Sequence, residues 1–74
     1  MQVIDQALDA TLENAGITDR VIRAAAHDDV IHAAYSAAHR TDSVHETVID
    51  HLSTRGVSEA DAQRVASLLA EYFQ

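Results

Sequence analysis

The sequence predicts an all-α fold: a single-domain, compact bundle of four to five short helices over residues 1–74. Three observations support this. The chain contains no proline and only two glycines, so little in it breaks a helix. Its apolar residues recur at i, i+3 and i+4, the spacing of a helix with one buried face. Its 74 residues are the size of one domain, with no linker between segments.

The first helix is predicted from about Gln2 to Ala15, where every third or fourth residue is apolar. Gly16 stands at the position after the helix end that favours a positive φ. The next residue, Ile17, is placed to fold back onto Leu12, as in a Schellman motif. The first helix therefore has a clear stop signal.

The middle of the chain allows either two helices or one. Thr18 or Asp19 is expected to cap this segment. Two adjacent aspartates are unfavourable inside a helix, so we expect a break at His27-Asp28-Asp29 and a new helix from Asp29 to His39. The alternative is one continuous helix over residues 18–40. The inward residues are predicted to be Val21, Ile22, Ala25 and Ala26, followed by Val30, Ile31, Ala34, Tyr35 and Ala38.

Two further helices are predicted in the last third of the chain. Ser43 and Glu46 form a capping-box pattern at the start of the first, and Gly56 ends it. Ser58 and Asp61 repeat the cap pattern. The inward residues of these two helices are predicted to be Val44, Val48, Ile49 and Leu52, then Ala62, Val65, Ala66, Leu69, Tyr72 and Phe73.

The charge of the chain predicts the kind of partner. Twelve acidic residues oppose five arginines, with no lysine, giving a net charge of −7. Such a chain is a poor ligand for nucleic acid or for anionic membranes, and a basic protein is its natural complement. We therefore expect a non-catalytic protein-binding module. Small immunity proteins, antitoxins and enzyme inhibitors share this size and charge.

Two groups of residues are predicted to contact that partner. Asp5, Asp9 and Glu13 stand four residues apart and form an acidic row on the first helix, and Asp28 and Asp29 form a second acidic point. The candidate apolar anchors are Tyr35, Tyr72 and Phe73.

Composition also predicts what the protein lacks. Without cysteine there is no disulfide, thiolate zinc site or cysteine nucleophile, and no glycine-rich loop is present to bind phosphate. We expect no catalysis and no required cofactor.

No apolar run approaches about 18 residues, so a cytoplasmic protein is expected. Because the core is small, a homodimer is a further expectation.

A first alternative concerns the tripeptide Asp42-Ser43-Val44 at a predicted helix start. It resembles the Asp-Ser-Leu prosthetic-group site of acyl and peptidyl carrier proteins, which are also small acidic helical domains. The resemblance implies a phosphopantetheine arm on Ser43. It covers three residues only. The long loop that usually precedes this serine in the family is replaced here by a segment that looks helical.

A second alternative concerns the five histidines. Asp28 and His32 stand at i, i+4, and His32 and His39 share a helix face two turns apart. Together with His27 they suggest a metal- or pH-responsive site, although no His-x-x-x-His pair occurs. Polar surface histidines are the simpler interpretation of the same residues.

Overall fold

The computed structural model describes residues 2–74, which form four α-helices and no strand. The helices are α1 (Gln2–Asn14), α2 (Arg20–His39), α3 (Val44–Ser53) and α4 (Glu59–Tyr72). Short connections of four or five residues join them. The prediction of a small all-α domain is confirmed, with the lower of the two helix counts.

Each outer helix packs against the same two neighbours. α1 contacts α2 and α4, and α3 contacts α2 and α4, while α2 and α4 touch only slightly across the centre. The helices approach closely because alanines lie between the larger side chains of the core. The largest fully buried side chains are Leu8, Leu12, Val30, Val48, Leu52, Val65 and Leu69.

Three helices begin at a side-chain cap that the sequence predicted. Asp19 caps α2, where its carboxylate accepts hydrogen bonds from the backbone N–H groups of Val21 and Ile22. The Ser43 hydroxyl accepts from the Glu46 N–H, and the Ser58 hydroxyl caps α4 in the same way. Each cap satisfies backbone donors that have no partner inside the helix.

Three helices end in the same Schellman geometry. Gly16 and Gly56 adopt positive φ angles of 89° and 81°. The following residues, Ile17 and Val57, donate back to the carbonyls of Leu12 and Leu52. These two ends confirm the prediction from glycine position.

The third Schellman end, at the C-terminus of α2, uses a residue that the sequence analysis did not single out. Thr41 occupies the glycine position with φ of 60°, and Asp42 N–H donates to the Ala37 carbonyl at 2.9 Å. A β-branched residue is unusual in this region of backbone space. Asp42 also accepts a hydrogen bond from Arg40, at 3.0 Å, which holds the turn.

The predicted break at His27-Asp28-Asp29 is wrong, because α2 runs without interruption through these residues. Asp29 accepts hydrogen bonds from side chains of the α3 segment, so its carboxylate does not compete for the α2 backbone. Asp28 projects into solvent. One helix then buries residues four or three apart: Ala26, Val30, Ala34 and Ala37.

The continuous helix also changes which apolar residues are inward. Val21 and Ile22 are exposed at 79% and 60%, and Ala25 is exposed as well, so the predicted inward face at the start of α2 is wrong apart from Ala26. Tyr35, also predicted inward, is 50% exposed. The buried set of α2 lies on the opposite side of the helix from most of these residues.

Replacing Thr41 by glycine is expected to stabilise the protein by about 0.5–1 kcal/mol. Glycine adopts the positive φ without the steric cost that a Cβ atom brings there. Chemical denaturation followed by circular dichroism measures the change.

The matched control is Gly16→Ala, in the equivalent position at the end of α1. A Cβ there meets no atom within 4 Å, so only backbone strain opposes it, and a loss of about 1 kcal/mol is expected. Equal stabilities of Thr41→Gly and the wild type would show that the turn at Thr41 is not strained.

Candidate functional site

The three predicted apolar anchors form one aromatic cluster. The rings of Tyr35 and Phe73 lie 6.1 Å apart, and those of Tyr72 and Phe73 lie 5.1 Å apart, both in edge-to-face geometry. His39 packs against Tyr35 at a centroid distance of 4.3 Å. The chain has no other Phe, Tyr or Trp, so all its large aromatic surface is gathered at this one place.

One groove lies on the α2 side of this cluster. We call it the α2–α4 groove; it has a volume of about 450 Å³ and is lined by His27, Asp28, Ile31, His32, Tyr35 and Phe73. Its walls combine apolar surface from Ile31 and two rings with one carboxylate and two imidazoles. Helix α2 supplies the first five residues from a single face, because they recur at a spacing of four residues over three successive turns.

A second groove lies on the α1 side of the cluster. The α1–α4 groove, of about 240 Å³, is lined by Val3, Ile4, Leu68, Glu71 and Tyr72. Neighbouring residues thus line different grooves, Phe73 the first and Tyr72 the second, and their rings are in contact. Val3 and Tyr72 are exposed at 70% and 52%, so this groove also presents apolar surface to solvent.

Two of the three residues in the predicted acidic row are paired inside the protein. Asp5 contacts His27 of α2 at 3.2 Å, and Glu13 contacts Arg23 at 3.7 Å. The row therefore lies along the contact between α1 and α2. Asp9, at its centre, is exposed and takes part in none of the ion pairs within residues 2–74.

The two residues of the second predicted acidic point, Asp28 and Asp29, lie on different sides of α2. The Asp28 side chain is 89% exposed and lines the α2–α4 groove, with only a long contact of 3.8 Å to His27. Asp29 points to another side of α2, where Arg55 donates to it at 2.7 Å and His51 lies at 3.2 Å. Asp28 is therefore available to a partner, whereas Asp29 joins α2 to α3.

The surroundings of Asp29 change its acidity. Partial burial raises the pKa of this carboxyl, but the hydrogen bonds and positive charges of Arg55 and His51 outweigh that effect and lower the pKa below its ordinary value. Arg55 also donates to the His51 carbonyl at 3.0 Å, at the end of α3. One guanidinium thus holds the end of α3 against α2.

The histidines named in the metal alternative do not converge on one point. His27 and His32 line the α2–α4 groove, whereas the ring of His39 packs against Tyr35 at a tilt of 52°. Within residues 2–74 no three His, Cys, Asp or Glu side chains are arranged to hold a metal ion. His27 instead lies between two carboxylates, those of Asp5 and Asp28.

Ser43 is exposed, and its hydroxyl caps α3. Helix α2 ends at His39, so only four residues separate the two helices, and the long loop typical of carrier proteins does not precede this serine. The phosphopantetheine alternative stays a prediction.

Several groove residues were not among the predicted contacts. Ile31, Val3, Leu68 and Glu71 each lie in a groove, yet sequence reasoning had placed Ile31 in the core and had not assigned Glu71 at all. The signal available was an apolar residue beside, and not on, the main buried stripe, as with Leu68 in α4. Such a residue is predicted to lie at the boundary between the buried and exposed faces of its helix. The pattern does not show which neighbouring helix it contacts there.

Comparison with protein families, with characterised proteins and with solved structures gives no significant match to this chain. None of the helices within residues 2–74 is both long enough and apolar enough to cross a membrane.

Asp29→Asn is expected to reduce the acid sensitivity of the fold. Because the folded protein lowers the pKa of Asp29, its contribution to stability is complete above about pH 4 and is lost as the pH falls through the folded value. At neutral pH the loss is expected to be up to about 1 kcal/mol, since the side chain is 44% exposed and the pair is screened by water. Urea denaturation at several pH values between about 7 and 2 measures both effects.

The control for this experiment is Asp50→Asn, which removes a charge from the exposed side of α3. The free energy of unfolding of this variant should depend on pH in the same way as that of the wild type. If Asp29→Asn did so too, the bond to Arg55 would not be the source of the effect.

Proposed function

We propose that this protein is a non-catalytic binding module that recognises a basic segment of another protein through its two grooves and the aromatic cluster between them. The observation that carries the proposal is the combination of exposed aromatic rings with exposed carboxylates in two adjoining grooves of an acidic bundle. Asp28 lines one groove and Glu71 the other, in a chain of net charge −7.

The aromatic cluster supplies the apolar part of the contact. Tyr35 and Tyr72 are each about half exposed, at 50% and 52%, and both touch Phe73, which packs against the core. Rings that are already held by neighbours lose little conformational freedom when a partner covers them. Tyrosine is also among the residues that most often dominate binding energy at protein interfaces.

The acidic residues supply attraction and orientation. Asp5 and Glu13 of the α1 row contact His27 and Arg23, which leaves Asp9 of that row, while Asp28 and Glu71 are the carboxylates that line the two grooves. Exposed carboxylates of this kind accelerate the encounter with a basic protein, and salt weakens their effect.

The partner that fits this surface carries apolar side chains interleaved with arginine or lysine. The apolar side chains would occupy the grooves, and the cations would reach the carboxylates at their rims. A second copy of this chain is the less suitable occupant, because it brings the same negative charge to the same place. Small inhibitors of basic enzymes would have this physical profile, which is shared through size and charge alone.

The double variant Asp28→Asn, Glu71→Gln is expected to weaken binding of the natural partner about tenfold at low salt, because one carboxylate is lost from each groove. The partner is first recovered as a complex from host cells and identified by native mass spectrometry. Isothermal titration then compares the purified pair at about 50 and 300 mM salt, where Debye screening differs strongly. The difference between wild type and variant should shrink at the higher salt.

The matched control is Glu46→Gln, Asp50→Asn, which removes the same two charges from exposed positions on α3. It should bind within about twofold of the wild type. Equal weakening by both double variants would show that net charge alone attracts the partner. A complex with an acidic partner, or only a homodimer, would overturn the proposal.

A further inference from the structure

We infer that the α2–α4 groove is a binding site for a single arginine side chain of the partner. This inference rests on the proposed function and names the chemistry of one of its contacts. The groove has apolar walls from Ile31, Tyr35 and Phe73 and is also lined by Asp28, whose exposed carboxylate has only a long contact of 3.8 Å with His27. An arginine side chain has the complementary chemistry, an apolar stem that ends in a cation.

The aromatic walls favour a guanidinium over other cations. The planar guanidinium group stacks on aromatic faces and retains less water than an ammonium group. Tyr35 lines the groove and is half exposed, and its ring contacts His39 and Phe73. The groove therefore offers an exposed aromatic ring and, about two helical turns away on α2, a carboxylate acceptor.

Asp28 is the carboxylate placed to accept from the guanidinium. Its side chain is 89% exposed, and the nearest cationic group is His27 at 3.8 Å, beyond hydrogen-bond distance. Asp28 therefore keeps most of its capacity to accept two parallel N–H bonds from an arginine. The other acidic group near this region, Asp5, is already engaged by His27 at 3.2 Å.

The groove histidines set the conditions for the measurement. His27 and His32 line the same groove, and protonated imidazoles would repel a cation. The titration is therefore made at about pH 7.5, above the pKa of about 6.5 that histidine has in model peptides. The probe is N-acetyl-arginine methylamide, titrated into isotopically labelled protein and followed by NMR shifts of backbone amides and aromatic rings.

The expected result is saturable binding in the roughly millimolar range, which is appropriate for so small a ligand. The shifts should centre on Asp28, Ile31, Tyr35 and Phe73. The citrulline analogue has the same shape without the charge and should bind at least fivefold more weakly. The lysine analogue should also bind more weakly, because it does not stack as a plane.

Two variants test the assignment to Asp28. Asp28→Asn should weaken arginine binding about threefold to tenfold, and the change is at an exposed position that leaves the core intact. Asp50→Asn removes the same charge from α3 and should leave binding unchanged. Glu71→Gln alters only the α1–α4 groove and should also leave arginine binding unchanged.

Three results would overturn the inference: no saturable shifts, equal binding of citrulline, or shifts spread over acidic residues outside the groove. None of them would remove the proposed function, which depends on the natural partner and on both carboxylates. Conversely, saturable arginine binding in the groove would support the inference even if the natural partner proved insensitive to Glu71→Gln.

Discussion

The small size of the core is the constraint on which the rest of this structure depends. The side chains buried at its centre are leucine, valine and alanine, and no aromatic ring is fully buried. Alanines such as Ala34 and Ala66 allow close helix packing but leave little volume between helices. Large rings can then be placed only at the margin. The aromatic cluster of Tyr35, Tyr72 and Phe73 is thus a consequence of the packing that stabilises the bundle.

The continuity of α2 determines where the remaining functional groups lie. Because α2 is a single helix of 20 residues, the same face points to the core along its whole length, and buried alanines and Val30 determine which face that is. This orientation of α2 places Asp28 in the α2–α4 groove and turns Asp29 toward Arg55. If the helix had broken at these aspartates, both would have been free to act as caps. The bond from Arg55 thus holds α3 in place and removes the reason for a break.

Much of the fold was predictable because its signals are local. The caps at Asp19, Ser43 and Ser58 and the stops at Gly16 and Gly56 involve residues no more than five positions apart. Thr41 shows the limit of such signals, since a non-glycine residue adopts the same geometry with no mark in the sequence. The bond between Asp29 and Arg55 joins residues 26 positions apart, and periodicity carries no information about such a pair. Two adjacent aspartates are unfavourable inside an isolated helix, but here α2 continues through them, with Asp29 bonded to a distant partner.

The candidate site was predictable in its residue types but not in its arrangement. Acidic and aromatic residues are visible in the sequence, yet only packing shows that the three rings share one surface. Packing also shows that two residues of the acidic row, Asp5 and Glu13, contact His27 and Arg23 of α2. The charge that remains at Asp28 and Glu71 lies beside the rings, where a partner would exclude water. An exposed carboxylate contributes little in open solvent, but beside apolar walls its attraction is screened less. For this reason we propose that the position of the acidic residues relative to the aromatic cluster, more than their number, directs a basic segment to the grooves.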